Sequence, residues 1–225
     1  MDSKNIELKE LLKQRIVLLD GAMGTMIQRA GLSEADFRGE RYADVDCEMK
    51  GCNDILVLTR PDVIADIHRQ YLEAGADIIE TCTFNSQAIS QAEYQTANYV
   101  SRINRDAARL ARKEADRMTA LTPNKPRFVA GSIGPTAKMT SMSPNVENPA
   151  MRSVSFDDLR LAYAEQIRAL LEGGVDALLI ETIFDTLNAK AALAAAREVF
   201  EEKGKKVPVM LSATIADAGG RILSG

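Results

Sequence analysis

Three carboxylates in this 225-residue sequence stand where a short apolar run ends: Asp20 after Ile16–Leu19, Glu80 after Ile78-Ile79, and Glu181 after Ala177–Ile180. A carboxylate with an apolar strand behind it is partly desolvated and needs a cation or a donor. Each of the three is therefore a candidate for holding an ammonium group. Asp20 leads into Gly21-Ala22-Met23-Gly24-Thr25, a turn whose backbone N–H groups can converge on an anion as a helix begins. Acid and turn together suit the two charged ends of an amino acid. A tight strand-to-helix connection that needs glycine for backbone freedom explains the same loop equally well. Thr81, Thr83 and Asn85 crowd the exit of the second run, and short polar side chains gathered there favour substrate contact. Asp185, close to Thr182, reads as a helix cap.

Other reactive side chains offer less. His68, the single histidine, adjoins the apolar stripe of an amphipathic helix, a structural position. Cys47 and Cys52 lack a second Cys or His pair at metal spacing, and Cys82 has no evident activating base. An odd number of cysteines in a chain of this length points to reduced thiols. The segment Gly131–Ser153, with Gly134-Pro135, Pro144 and Pro149, is a long loop of the kind that is functional or disordered. Its Met139 and Met142 would pack over a ligand or fold back on the body of the protein. The Asp20 loop has neither the Gly-x-Gly-x-x-Gly spacing of a dinucleotide site nor the Gly-Lys-Ser/Thr ending of a nucleotide loop.

The elements that must position these groups follow from the alternation of short apolar runs with helical periodicity, the pattern of parallel strands joined by crossover helices. Five strands are expected: Ile16–Leu19, Ile78–Thr81, Phe128–Ser132, Ala177–Glu181 and Val209–Thr214. Thr59 with Asp62, and Ser155 with Asp158, predict capped helix starts. Val63, Ile64, Ile67, Tyr71 and Leu72, then Leu159, Tyr163, Ile167 and Leu170, form apolar stripes. Both helices are predicted to stop at Ala74-Gly75 and Gly173-Gly174. The segment Ala74–Thr81 returns, with two extra residues, as Gly173–Thr182, and each copy ends on Glu-Thr with Phe84 or Phe184 shortly after. Equivalent polar groups thus leave the same end of two parallel strands, as in a barrel whose chemistry sits at the carboxyl-terminal face. An open doubly wound sheet shares the alternation.

Bulk composition agrees with one large domain: 46% hydrophobic and 27% charged residues, with a net charge of -4 and the two signs interspersed. Nothing favours nucleic acid or a lipid surface as partner. Met1–Leu12 is charged and helical in pattern, unlike a signal peptide, and no run is long enough to span a bilayer. The expectation is a cytoplasmic protein with a small-molecule partner.

Several segments together resemble one family: Leu18–Met26, Asp36–Arg41, Asn53-Asp54, Ala74–Thr81, Gly134-Pro135-Thr136, Ile180–Ala191 and Arg221–Gly225. They are similar to the amino-terminal homocysteine S-methyltransferase domain of cobalamin-dependent methionine synthases, over about Leu11 to the last residue. The resemblance implies an α/β fold of the TIM (βα)8-barrel type, about five strand-helix units of which are present, so that residues 1–225 form the amino-terminal portion of a homocysteine-binding domain. It implies methyl transfer to homocysteine from methylcobalamin on another module of the same polypeptide, recharged by methyltetrahydrofolate, to form methionine. Zinc held by three cysteines would activate the thiol. Carried over, Asp20 and Glu181 would hold the substrate ammonium and the backbone of Gly21, Ala22 and Met23 its carboxylate, with Glu80 and Thr83 also at the site. The family's zinc cysteines follow the sixth strand and lie near the eighth. No residue here aligns with them, so metal ligands are expected beyond Gly225 and this chain alone is expected to be weakly active or inactive. Relatives usually carry asparagine where Cys82 stands. Another small methyl donor, or a non-catalytic amino-acid-binding module, are the alternatives.

Overall fold

The computed structural model describes residues 8–224. The expected amino-terminal helix lies partly outside them; the described part belongs to helix α1, Leu8–Gln14. Eight further α-helices are described: α2 Met23–Arg29, α3 Glu34–Arg38, α4 Leu56–Thr59, α5 Pro61–Ala74, α6 Ala88–Gln91, α7 Val100–Leu121, α8 Phe156–Gly173 and α9 Thr186–Lys203. Strands β1 Ile78–Glu80, β2 Phe128–Ile133, β3 Ala177–Ile183 and β4 Val209–Ala213 form one parallel sheet in chain order. Four of the five expected strands are thus present, within two residues of their predicted ends.

The fifth expectation is corrected. Ile16–Leu19 runs beside β1 but makes only a single parallel bridge, Leu19 to Ile78, with the Leu18 carbonyl accepting from the Asp77 and Ile78 N–H groups and Asp20 N–H donating to Ile78 O. Its apolar residues explain why: Ile16 is 84% and Leu18 54% exposed, so the run that reads as a buried strand has little packed over it.

Side chains alternate across a sheet, and the two faces have separate cores. Ile79, Val129, Leu178 and Ile180 pack against α7, α8 and α9. Ile78, Phe128, Ala130, Ala177 and Leu179 point the other way and meet Leu8 and Leu11 of α1. The register pairs Glu80 with Ala130, Ala130 with Ala177, and Ser132 with Leu179. By the same alternation Glu80, Ser132 and Glu181 lie on the α1 side of the sheet, above that second core and towards the carboxyl ends of the strands.

The near-repeat explains both ends of this arrangement. Asp77 accepts from Leu18 N–H at 2.9 Å and from Arg15; its counterpart Asp176 accepts from Val129 N–H at 2.8 Å and from Arg112. Asp77 ties the start of β1 to the Ile16–Leu19 segment, and Asp176 ties the start of β3 to β2. The two residues added between Asp176 and Glu181 match the period of a strand, so both glutamates keep the same face.

Helix ends follow the predicted chemistry with one exception. Ser155 and Asp158 form a capping box, and Gly75 and Gly174 end α5 and α8 in the left-handed region at φ 113° and 96°. Thr59 does not cap α5. Pro61 takes the first helical position, which makes Arg60 the cap residue; Thr59 closes α4 and its hydroxyl donates to Ile55 O. No helix among the described residues is long and apolar enough to cross a membrane.

Candidate substrate site

A cavity of about 370 Å³ opens at the carboxyl ends of β1 and β3, walled by Asp20–Gly24, Asn53-Asp54, Glu80–Asn85, Ser132 and Glu181. The order of the elements produces it. The Asp20 loop reaches the rim because the preceding segment runs beside β1, and Glu80 and Glu181 reach it from β1 and β3. Ser132 on β2 lies between them. Its hydroxyl donates to Glu181 Oε1, and its small side chain leaves room for the glutamates to approach from either side. Glu80 and Glu181 lie within hydrogen-bonding reach of one another.

Asp20 Oδ2 accepts the Glu80 backbone N–H at 3.0 Å. Its other oxygen, Oδ1, is buried without a partner. An orphaned carboxylate oxygen costs roughly 1–3 kcal/mol or more, and no Lys, Arg or His lines the cavity to offset it. Burial pushes the Asp20 carboxyl up to about 7, with Glu181 adding to the effect. Burial also raises Glu80, reinforced by repulsion from Glu181 and Asp20, and burial raises Glu181, opposed by the hydrogen bonds from Ser132 and Glu80. The cavity is an acidic site that awaits a cation or a donor.

The turn after Asp20 is helical by Met23, with Ala22 as cap residue at φ -43° and no side chain satisfying the first N–H groups. Gly21 does not need left-handed freedom: a Cβ there would rest 3.7 Å from the Tyr71 ring. The turn is therefore set by packing rather than by a strained glycine. On the opposite wall Glu181 is followed by Thr182 at φ 56°, a costly conformation for a β-branched residue. The same point carries a register shift in the pairing of β3 with β4, between Ile180 and Ile183. A bulge there re-aims the strand end as it leaves the sheet.

Thr83 lines the cavity, yet its hydroxyl is committed within the protein, donating to Ser132 O at 2.7 Å and meeting Thr81 Oγ1 at 2.6 Å. It shapes the wall. Cys82 is buried, its thiol directed at Asn53 O and raised well above the usual range by burial. His68 is fully buried and held neutral by burial, at about 4, away from the cavity. Asp185 caps α9 as expected and also accepts from Thr140 and Ser141 N–H, both at 3.0 Å. The long loop thus folds back on α9, and neither Met139 nor Met142 lines the cavity. Gly134 is required where that loop starts: a Cβ would lie 2.5 Å from Phe84 O.

Two further residues of the cavity, Ser132 and Asp54, are not marked by residue type and spacing alone. Ser132 shares parity with Ala130 and sits one step before the strand end, a signal that needs the register to be read. Asp54 is buried, lines the cavity and accepts Asn85 N–H at 2.9 Å; burial raises it to about 7.

Residues 17–225 match the family model described as homocysteine S-methyltransferase. The chain belongs to the homocysteine S-methyltransferase family. Among solved structures it is similar to the homocysteine methyltransferase MmuM from Escherichia coli. The metallated form matches with a TM-score of 0.72 over 97% of this chain and 69% of that one, at 23% identity. The oxidized form matches with 0.74 over 98% and 70%, also at 23% identity. At that identity the likeness carries the fold.

The described residues do not fit a metal ion of the kind found in a metallated homocysteine methyltransferase. No group of three His, Cys, Asp or Glu among them could hold one, and Cys52 and Cys82 are buried thiols raised by burial.

Proposed function

We propose that this chain is the substrate-gripping part of a homocysteine methyltransferase of the methionine synthase type. Asp20 and Glu181 hold the ammonium group of homocysteine and the N–H groups of Gly21, Ala22 and Met23 receive its carboxylate. The observation that carries the reading is the buried, unpartnered Asp20 Oδ1 in an acidic cavity with no cation of its own. An ammonium group supplies the missing donors and the missing positive charge in one step. Ser132 orients Glu181 for that contact. With the amino-acid end fixed at the rim, the thiol extends along the cavity to where the methyl group is delivered.

The donor we infer is methylcobalamin on a separate module, recharged by methyltetrahydrofolate, because the segments after Asp36 and Glu181 resemble the cobalamin-dependent synthases in particular. We further propose that the sheet is part of a (βα)8 barrel whose remaining strands and zinc ligands come from sequence beyond Gly225. The exposed β4, with Leu211 56% exposed, and the 69% coverage of a structural relative support this. Methyl transfer from methylcobalamin to homocysteine, measured on the chain joined to a completing sequence, tests the reading. Asp20→Asn and Glu181→Gln should each raise KM for homocysteine about 10- to 100-fold, the weight of a buried charged hydrogen bond. An unchanged KM in both would overturn it.

A further inference from the structure

Four carboxyl groups line a cavity without a cation, and two of them, Glu80 and Glu181, lie within hydrogen-bonding reach of one another, which two ionised carboxylates avoid. We propose that Glu80 keeps its proton and donates a hydrogen bond to Glu181, so that Glu80 is a positioning residue and only Glu181 and Asp20 are charged acceptors for the substrate ammonium. The inference deepens the function proposed above and rests on it for the identity of the ligand.

Geometry assigns the proton to Glu80 rather than Glu181. Glu181 Oε1 already accepts from the Ser132 hydroxyl, a bond that favours its ionised form. Glu80 has no side-chain donor of its own, and its backbone N–H is spent on Asp20 Oδ2. The groups around Glu80 push the same way. Asp20 and Glu181 repel its negative form, Asp54 and Cys82 line the same cavity without bringing a positive charge, and Tyr71 on α5, near both Asp20 and Glu80, brings an uncharged phenol rather than a cation. A proton held between Glu80 and Glu181 gives the pair one negative charge and locks the Glu181 carboxylate between two donors, Ser132 and Glu80. This leaves a preset acceptor for the ammonium group and avoids three adjacent buried charges, which no single ammonium group would balance.

Two measurements test this, one without ligand. In ligand-free protein, the stability difference between Glu80→Gln and the wild type is followed by denaturant unfolding from pH 5 to pH 7. A retained proton makes the wild type bind about one proton more than its unfolded chain in that window, so its stability falls as pH rises while that of the variant falls less. The ratio of their folding constants then moves by up to about tenfold per pH unit in favour of Glu80→Gln. A ratio independent of pH would overturn the proposal. The second measurement is calorimetric titration with homocysteine and methionine. Glu80→Leu should weaken binding about tenfold or more, and Glu80→Gln, which still donates to Glu181, should recover most of that loss. Equal losses in both variants would show that Glu80 acts as a charged acceptor and would overturn the proposal. If the wild type bound neither amino acid, the functional reading would fall while the pH slope would still decide where the proton resides.

Discussion

At the scale of single residues, the cavity is built from acids that the fold forces into apolar surroundings. Asp54 is the clearest case outside the substrate contacts: buried, raised to about 7 from an ordinary 3.8, and bonded to Asn85 N–H. Because its folded value lies above its unfolded one, the folded protein holds the proton that the unfolded chain has lost. Stability attributable to this group therefore declines as pH climbs from near 4 to near 7, then levels off. Asp54→Asn keeps an acceptor for Asn85 and has no proton to lose. Unfolding curves for the two proteins should nearly coincide near pH 4 and separate in favour of asparagine as pH approaches 7; curves that stay parallel would show that Asp54 is ionised throughout. The sequence displayed some of these residues and hid others. Asp20, Glu80 and Glu181 were legible because each ends an apolar run. Ser132 was hidden because a serine in a strand becomes informative only once the register places it between two glutamates. Thr83 lines the cavity, the position its type suggests, and its hydroxyl is also bonded to Ser132 O and Thr81, which only the folded structure reveals.

At the scale of elements, an apolar run marks a strand even where it is open, since β4 is recognisable although its last three residues are exposed, but the run does not tell how far it pairs. β2 is buried along its whole length, and its continuous apolar run marks it without ambiguity. Ile16–Leu19 has the same kind of run but lies largely open, so composition alone overstated its pairing. Helix starts depend on which residue takes the cap position: Ser155 was found by its Asp158 partner, while Pro61 shifted the start of α5 past Thr59. Asp185 joins both themes, since it caps α9 through Leu187 and Asn188 N–H and pins the long loop through Thr140 and Ser141. Its carboxyl is held below the usual range, burial being outweighed by the Ser141 and backbone donors. Asp185→Ala removes the cap and leaves loop N–H groups unpaired, so we expect a loss of roughly 2–4 kcal/mol, a cap of about 1 kcal/mol plus unsatisfied donors. Ser155→Ala, which removes an exposed cap alone, should cost about 1 kcal/mol. Thermal or denaturant unfolding gives both numbers. Equal losses in the two variants would mean that the loop does not depend on Asp185. The larger loss should come with faster proteolysis between residues 137 and 152.

At the scale of the whole molecule, the sheet has two different faces and two unequal edges. The face towards α7, α8 and α9 is closed by leucine, isoleucine and tyrosine side chains of α8 and by closely packed alanines of α7 and α9, whereas the face carrying Ile78, Phe128 and Leu179 has only α1 as its described helical cover. β4 pairs with β3 on one side and has no strand on the other among the described residues. Leu211 in β4 is exposed, as are Ile16, Leu18 and Leu19 beyond β1. An edge strand with free N–H and C=O groups and apolar side chains is a template for pairing with another chain. This chain by itself should therefore self-associate as concentration rises, with the mean mass from light scattering growing between about 1 and 100 μM. Leu211→Lys places a charge on that edge without touching the acidic cavity, and should return the protein to its monomer mass while leaving the unfolding midpoint of Asp20→Asn relative to its own parent unchanged. Association that persists in Leu211→Lys would shift the responsibility to the Ile16–Leu19 edge, where Leu18→Lys is the corresponding change. A monomer at all concentrations would instead mean that the open edges are too short and twisted to pair, and that the acidic cavity can be studied on this chain without a covering partner.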